Sequence, residues 1–187
     1  MDDIIVRFRI AASGIGLVVS RSLVGLVVDT LEFAREGRSV SGTVPVSGLP
    51  RLQELVGASD ALLECELQGR RENGRHWLSL SVRGKFDLIC QRCLGALPFV
   101  LETDAELQVV APGEPWPDEA LDDGALSLGV DAIAADAAQA VTDLIEEEVL
   151  LALPVAPKHE ESCEPPARSD DKRAASPFAV LATLKKH

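Results

Sequence analysis

Asn73-Gly74 is where this chain has the least freedom. Both residues tolerate the positive φ of a type I′ turn, whose twist matches that of the strands it joins, so the pair predicts a hairpin across residues 61–85. With those two residues as the loop, Glu72 faces Arg75 and the register follows outward. Leu67 then opposes Leu80 and Cys65 opposes Val82 on one face, while Glu64 opposes Arg83 and Arg70 opposes Trp77 on the other. A slip of one residue would set Leu67 against polar neighbours. The pattern therefore fixes which face is buried, and Cys65 on that face reads as a small buried hydrophobe.

The surrounding sequence extends the sheet. Ile4, Val6, Phe8 and Ile10 alternate with charged residues, as do Val40, Val44 and Val46 with small or polar ones. Pro50 opens a short helical stretch whose apolar face is Leu52, Leu55 and Val56. FDLI and LPFVLETDAELQVV flank a tight Cys90–Gly95 turn, and APGEPWPDEALDDG at 111–124 reads as an acidic surface loop. Asp131 is placed to cap a helix running to about Leu153, with Val141, Leu144, Ile145, Val149 and Ala152 inward and Asp143, Glu146 and Glu147 outward. Pro154 and Pro157 end it. Residues 154–187 then read as an extended tail closing in an amphipathic helix from Ser176, whose apolar residues include Phe178 and Leu181. The expected architecture is α+β: one domain over 1–153, with an antiparallel sheet able to curl toward a barrel, an acidic helix packed on it, and a tethered C-terminal helix.

Charge narrows the function. Of 187 residues, 18 are Lys or Arg and 30 are Asp or Glu, a net charge of -12 that argues against coating nucleic acid or anionic membrane by bulk attraction. The imbalance is local. Residues 1–101 hold 12 basic and 11 acidic side chains, residues 102–164 hold 1 and 17, and residues 165–187 hold 5 and 2. A basic patch on the hairpin is therefore compatible with the total. Arg70, Arg75, Trp77, Arg83 and Lys85 share its outer face, which is what single-stranded RNA requires: cations for phosphate and a ring for base stacking. The competing reading has the arginines neutralising nearby glutamates. The start, MDDIIVRFRI, lacks the positive charge of a signal peptide and no apolar run reaches membrane-spanning length, so a cytoplasmic protein with no membrane contact is expected.

Cys90-Gln91-Arg92-Cys93 has the spacing of either a redox or a metal-binding pair. A redox motif would stand at a helix N-terminus, whereas here a strand pattern follows. His159 and Cys163 supply a second half, and Cys90, Cys93, His159 and Cys163 together match a closed tetrahedral zinc site that would be structural in role. Reduced thiols without metal remain the alternative. No P-loop, G-x-G-x-x-G, H-E-x-x-H or G-x-S-x-G is present, so no small-molecule substrate and no catalytic residue is indicated.

The CQRC turn after a hairpin, the helix closing in EEEVLLALPVAPKH with a Cys nearby, and the terminal PFAVLATLKK stand in an order that resembles the YceD family, named for large ribosomal RNA subunit accumulation. The resemblance covers roughly residues 40–187 and rests on Cys90, Cys93, Pro154, His159, Cys163, Pro177 and Phe178. It implies a non-enzymatic factor in large ribosomal subunit biogenesis. Its partner would be a basic ribosomal protein received by the acidic helix through Glu146 and Glu147, the pre-ribosomal large subunit, or rRNA touched at the hairpin patch with Arg92. Phe178 and Leu181 would be further partner contacts. A thiol or zinc enzyme at the CxxC turn, and an adaptor unrelated to ribosomes, are the readings from other classes.

Overall fold

A computed structural model of the chain describes residues 17–56, 59–117, 131–161 and 163–164. Its centre is a meander of long strands: β3 (Ser39–Pro45), β4 (Leu62–Glu72), β5 (Arg75–Ile89) and β6 (Ala96–Val110), each antiparallel to the next. The β4–β5 turn forms at Asn73 (φ 52°) and Gly74 (φ 80°), and every pair expected from it is present, from Glu72 opposite Arg75 to Glu64 opposite Arg83. Alternation does the rest. Leu63, Cys65 and Leu67 of β4 and Leu78, Leu80 and Val82 of β5 point to one buried face.

Two parallel edge strands complete a six-stranded sheet, β1 (Leu17–Ser22) beside β3 and β7 (Asp131–Ala134) beside β6. The fold is α+β with a mostly antiparallel sheet, as expected, and the sheet stays open: β1 and β7 are opposite edges. A separate two-stranded ribbon spans them instead. β2 (Val27–Val28), just after β1, pairs with β8 (Gln139–Ala140), just after β7. The clasp is reinforced on both sides, because Thr30 and Asp136 exchange hydrogen bonds through backbone and hydroxyl and the Val141 N–H donates to the Leu26 carbonyl at 2.9 Å.

Three α-helices among the described residues sit on the buried face. α1 (Thr30–Arg35) is capped by Asp29, whose carboxylate accepts from the Glu32 N–H at 2.9 Å. It lies so close to β4 that a side chain at Gly69 would put Cβ 2.4 Å from the Phe33 carbonyl oxygen, so only glycine fits there. α2 (Pro50–Gln53) is a single turn with Leu52 fully buried. Leu55, expected on the same apolar face, is half exposed because the helix stops before it. α3 (Val141–Ala152) buries Val141, Leu144, Ile145 and Val149 as its periodicity requires, whereas Ala152 is exposed.

The helix expected from Asp131 begins instead at Val141. Ala-rich sequence favours helix, but the long strand β6 offers an unpaired edge, and Asp131–Ala134 satisfy it in parallel register from Leu107–Asp131 to Val110–Ala134. Tertiary pairing overrides local propensity here.

Glu146 also departs from the outward position assigned to it. It is buried, and one carboxylate oxygen accepts from the Arg51 N–H at 2.7 Å and the Leu52 N–H at 3.1 Å. Those are the second and third residues of α2, whose own N-cap, Leu49, has no side-chain acceptor. A distant carboxylate thus serves as the cap. Glu147 stays exposed and pairs with the Arg51 guanidinium at 2.6 Å. In urea unfolding, Glu146→Ala is expected to cost about 2 kcal/mol, because two buried donors lose a charged acceptor. Glu147→Ala is expected to cost less than about 1 kcal/mol, as for an exposed pair; the reverse order would contradict the capping role.

Glu148 is buried beside β7, and burial, with added repulsion from Asp131 and Glu147, pushes its carboxyl above the usual range. The folded state therefore holds this proton more tightly than the unfolded chain. Its contribution is fully present below the unfolded value of about 4.3 and is lost as pH rises through that value toward the folded one. Glu148→Gln is expected to flatten that fall and to be more stable than the wild type at neutral pH. Equal pH slopes for the two proteins would refute the assignment.

Candidate metal centre

β5 and β6 are joined at one end of the sheet by residues 90–95, above a cross-strand Phe86–Phe99 pair with ring centroids 5.7 Å apart. The joint is a tight knuckle. The Cys90 N–H donates to the Gly95 carbonyl and the Leu94 N–H to the Cys90 carbonyl, both at 2.9 Å, with Leu94 held at φ 59°. This curl turns backbone N–H groups toward the Cys90 sulfur. That of Cys93 has the largest effect; burial opposes it, and those of Arg92 and His159 add to it, bringing the Cys90 thiol down to about 5. The knuckle thus favours the thiolate of Cys90, the form a metal binds.

The second half arrives from the far end of α3. Leu153 and Pro154 stop the helix, and the chain then lies along the knuckle: the Gln91 N–H donates to the Pro157 carbonyl at 2.8 Å and Arg92 reaches the Glu161 carbonyl at 3.4 Å. These contacts deliver His159 and Cys163. The Cys90 and Cys163 sulfurs are 3.8 Å apart, and the Cys93 sulfur is 3.5 Å from His159 Nδ1. All four ligand atoms lie within 4.8 Å of one another.

The separations can be compared with a tetrahedron. Bonds of ~2.3 Å to sulfur and ~2.0–2.1 Å to nitrogen place two sulfurs ~3.8 Å apart and sulfur and nitrogen ~3.6 Å apart. The two edges above agree with those values. His159 Nε2 lies 3.0 Å from the Ala96 carbonyl oxygen, so an N–H there leaves Nδ1 free as a ligand and fixes the ring's orientation. Cys163, by contrast, is pushed up by burial and by the neighbouring Cys93 and Cys90 thiols, a crowding that a shared cation relieves. Cys65 lies apart among the sheet's apolar side chains, and burial raises its thiol to about 12, leaving it inert.

The other candidate residues are placed differently. Arg70, Arg75, Trp77, Arg83 and Lys85 do share the outer face of the hairpin, while Arg92 sits apart on the knuckle. That face is already occupied by the acids of β6. Arg83 is held by both oxygens of Asp104 at 3.1 Å, and the Ser81 hydroxyl, then Arg83, keep Asp104 below the usual carboxylate range. Arg70 pairs with Glu106 and lies 5.3 Å over the Trp77 ring, and Arg75 donates to Gln108 at 3.3 Å. The hairpin alone did not reveal Asp104 and Glu106; the alternation of LETDAELQVV, carried one strand further, would have placed both on that face. Glu146 is consumed within the chain. Phe178 and Leu181 lie outside the described residues.

The YceD family profile, described as the large ribosomal RNA subunit accumulation protein YceD, matches residues 78–185. The chain belongs to the YceD family. That span takes in all four donor residues of this YceD-family chain and begins just past Arg70, Arg75 and Trp77. Comparison with curated proteins and with solved structures finds no match. No helix among the described residues is long and apolar enough to cross a membrane.

Proposed function

We propose that this chain is a non-enzymatic factor in large ribosomal subunit assembly, with one structural zinc ion at Cys90, Cys93, His159 and Cys163 and an acidic second half that receives a basic ribosomal protein. The observation that carries the reading is the family match, whose span contains the complete donor set. Three sulfurs and one imidazole fill a tetrahedron, leaving no position for water or substrate. Zinc held there would contribute folding energy and tie residues 154–164 to the sheet.

A protein partner is favoured over RNA by the outer face. Arg70 and Arg83 are neutralised by carboxylates, and the guanidinium of Arg70 covers the Trp77 ring on which a base would stack. The acid excess between residues 102 and 164 offers a basic protein both attraction and faster encounter. The thiol-enzyme alternative lacks a helix N-terminus at Cys90, and the low thiol there is what metal binding also requires.

Two measurements test the reading. Affinity purification with protein and RNA read separately should recover a basic large-subunit protein that survives nuclease treatment and is lost as salt rises, and depletion should lower large-subunit rRNA; unchanged rRNA overturns the assignment. Metal analysis of the purified chain should give about one zinc, lost in Cys93→Ser. A stably folded, metal-free wild type rejects the zinc.

A further inference from the structure

The outer face of β4, β5 and β6 holds a hollow of about 260 Å³, with Leu62, Glu64, Lys85, Val100 and Glu102 in its lining. Leu62 and Val100 are 57% and 58% exposed, and Val100 stands opposite Lys85 in the β5–β6 register. Both point away from the core, and the methylene stem of Lys85 extends the apolar strip between them. Arg83 also lines the hollow, opposite both Glu64 and Glu102 in the register, and its guanidinium is bound by both oxygens of Asp104, while neither glutamate makes a direct ion pair among the described residues. Leu62, Lys85 and Val100 thus line one side of the hollow and Glu64, Arg83 and Glu102 the other.

We propose that this hollow is the docking site of the chain's own terminal segment, residues 177–186. Phe178, Val180, Leu181 and Leu184 supply apolar side chains, and Lys185 and Lys186 follow with charge opposite to that of Glu64 and Glu102, whose nearest cation across the strands, Arg83, is bound by Asp104. Reach is ample. The Cys163 sulfur is 3.8 Å from that of Cys90, and Lys85 is five strand residues from Cys90, roughly 17 Å away. The fifteen residues from Cys163 to Phe178 can span up to ~50 Å. Attachment to the same chain makes the encounter intramolecular, which favours the segment over a free competitor. All but the last residue of the segment, and the Lys85–Glu102 side of the hollow, fall inside the family-matched span. Docking there covers two large exposed hydrophobics, and a partner that uses this face must first displace the segment. The proposal rests on neither the zinc nor the ribosomal assignment.

The test is methyl NMR of the full-length chain as purified, labelled at Leu and Val. In the full-length variants Phe178→Ser and Leu181→Ser, the Leu62 and Val100 methyl signals should shift, those of the exposed Leu151 and Val155 should not, and the shifts should be independent of protein concentration. Lys185→Glu with Lys186→Glu should produce shifts at the same two residues. Unchanged Leu62 and Val100 signals would overturn the proposal, and concentration-dependent shifts would overturn it in favour of a second copy as the occupant.

Discussion

The register of β5 is the constraint on which the rest depends. Fixed at one end by the positive φ of Asn73 and Gly74, it runs unbroken to Ile89 and decides, residue by residue, what faces the helices and what faces away. β6 inherits it through fourteen consecutive pairs from His76–Val109 to Ile89–Ala96. The last of those pairs opens directly into the knuckle, so the geometry of Cys90 and Cys93 is anchored to a turn at the opposite end of the strand. Two of the four candidate ligands are thus carried by the sheet itself, and the other two are delivered by the segment after α3.

What the sequence made legible follows from the range of the forces involved. The hairpin pairs, the buried parity of β3 to β5 and the inner residues of α3 are consequences of turn chemistry and alternation, both local. The four donors were legible as one set from residue type and spacing, and the structure brings them together; the path that does so was not, since it depends on where α3 points. Asp131–Ala134 was misread because the free edge of β6 is invisible to a window of neighbouring residues. Glu146 was misread for a related reason: helical periodicity put it at the border of the apolar face, and the two N–H groups it satisfies belong to a turn 94 and 95 residues away.

The same observations reassign the chain's charges. An acidic segment read along the sequence is a block; in three dimensions it is divided among tasks. Asp104 and Glu106 neutralise arginines of the hairpin, Glu146 caps α2, and Glu148 sits buried against β7. Net charge remains a guide to encounter with a partner, but among the described residues the carboxylates that can be offered outward are those without an internal role, such as Asp143.

The β2–β8 clasp sets an order of events during synthesis. Thr30 and Asp136, which lock it, are 106 residues apart. At ~5–20 residues per second, roughly 5–20 s pass on the ribosome between the making of one and the other. Once Val110 has been made, late in that interval, the meander can form while its apolar face has neither α3 nor the ribbon to cover it. The nascent chain therefore presents an adhesive sheet until nearly three quarters of it has been made, and a chaperone or a docking surface near the tunnel exit would meet this protein at the stage when it is most in need of one.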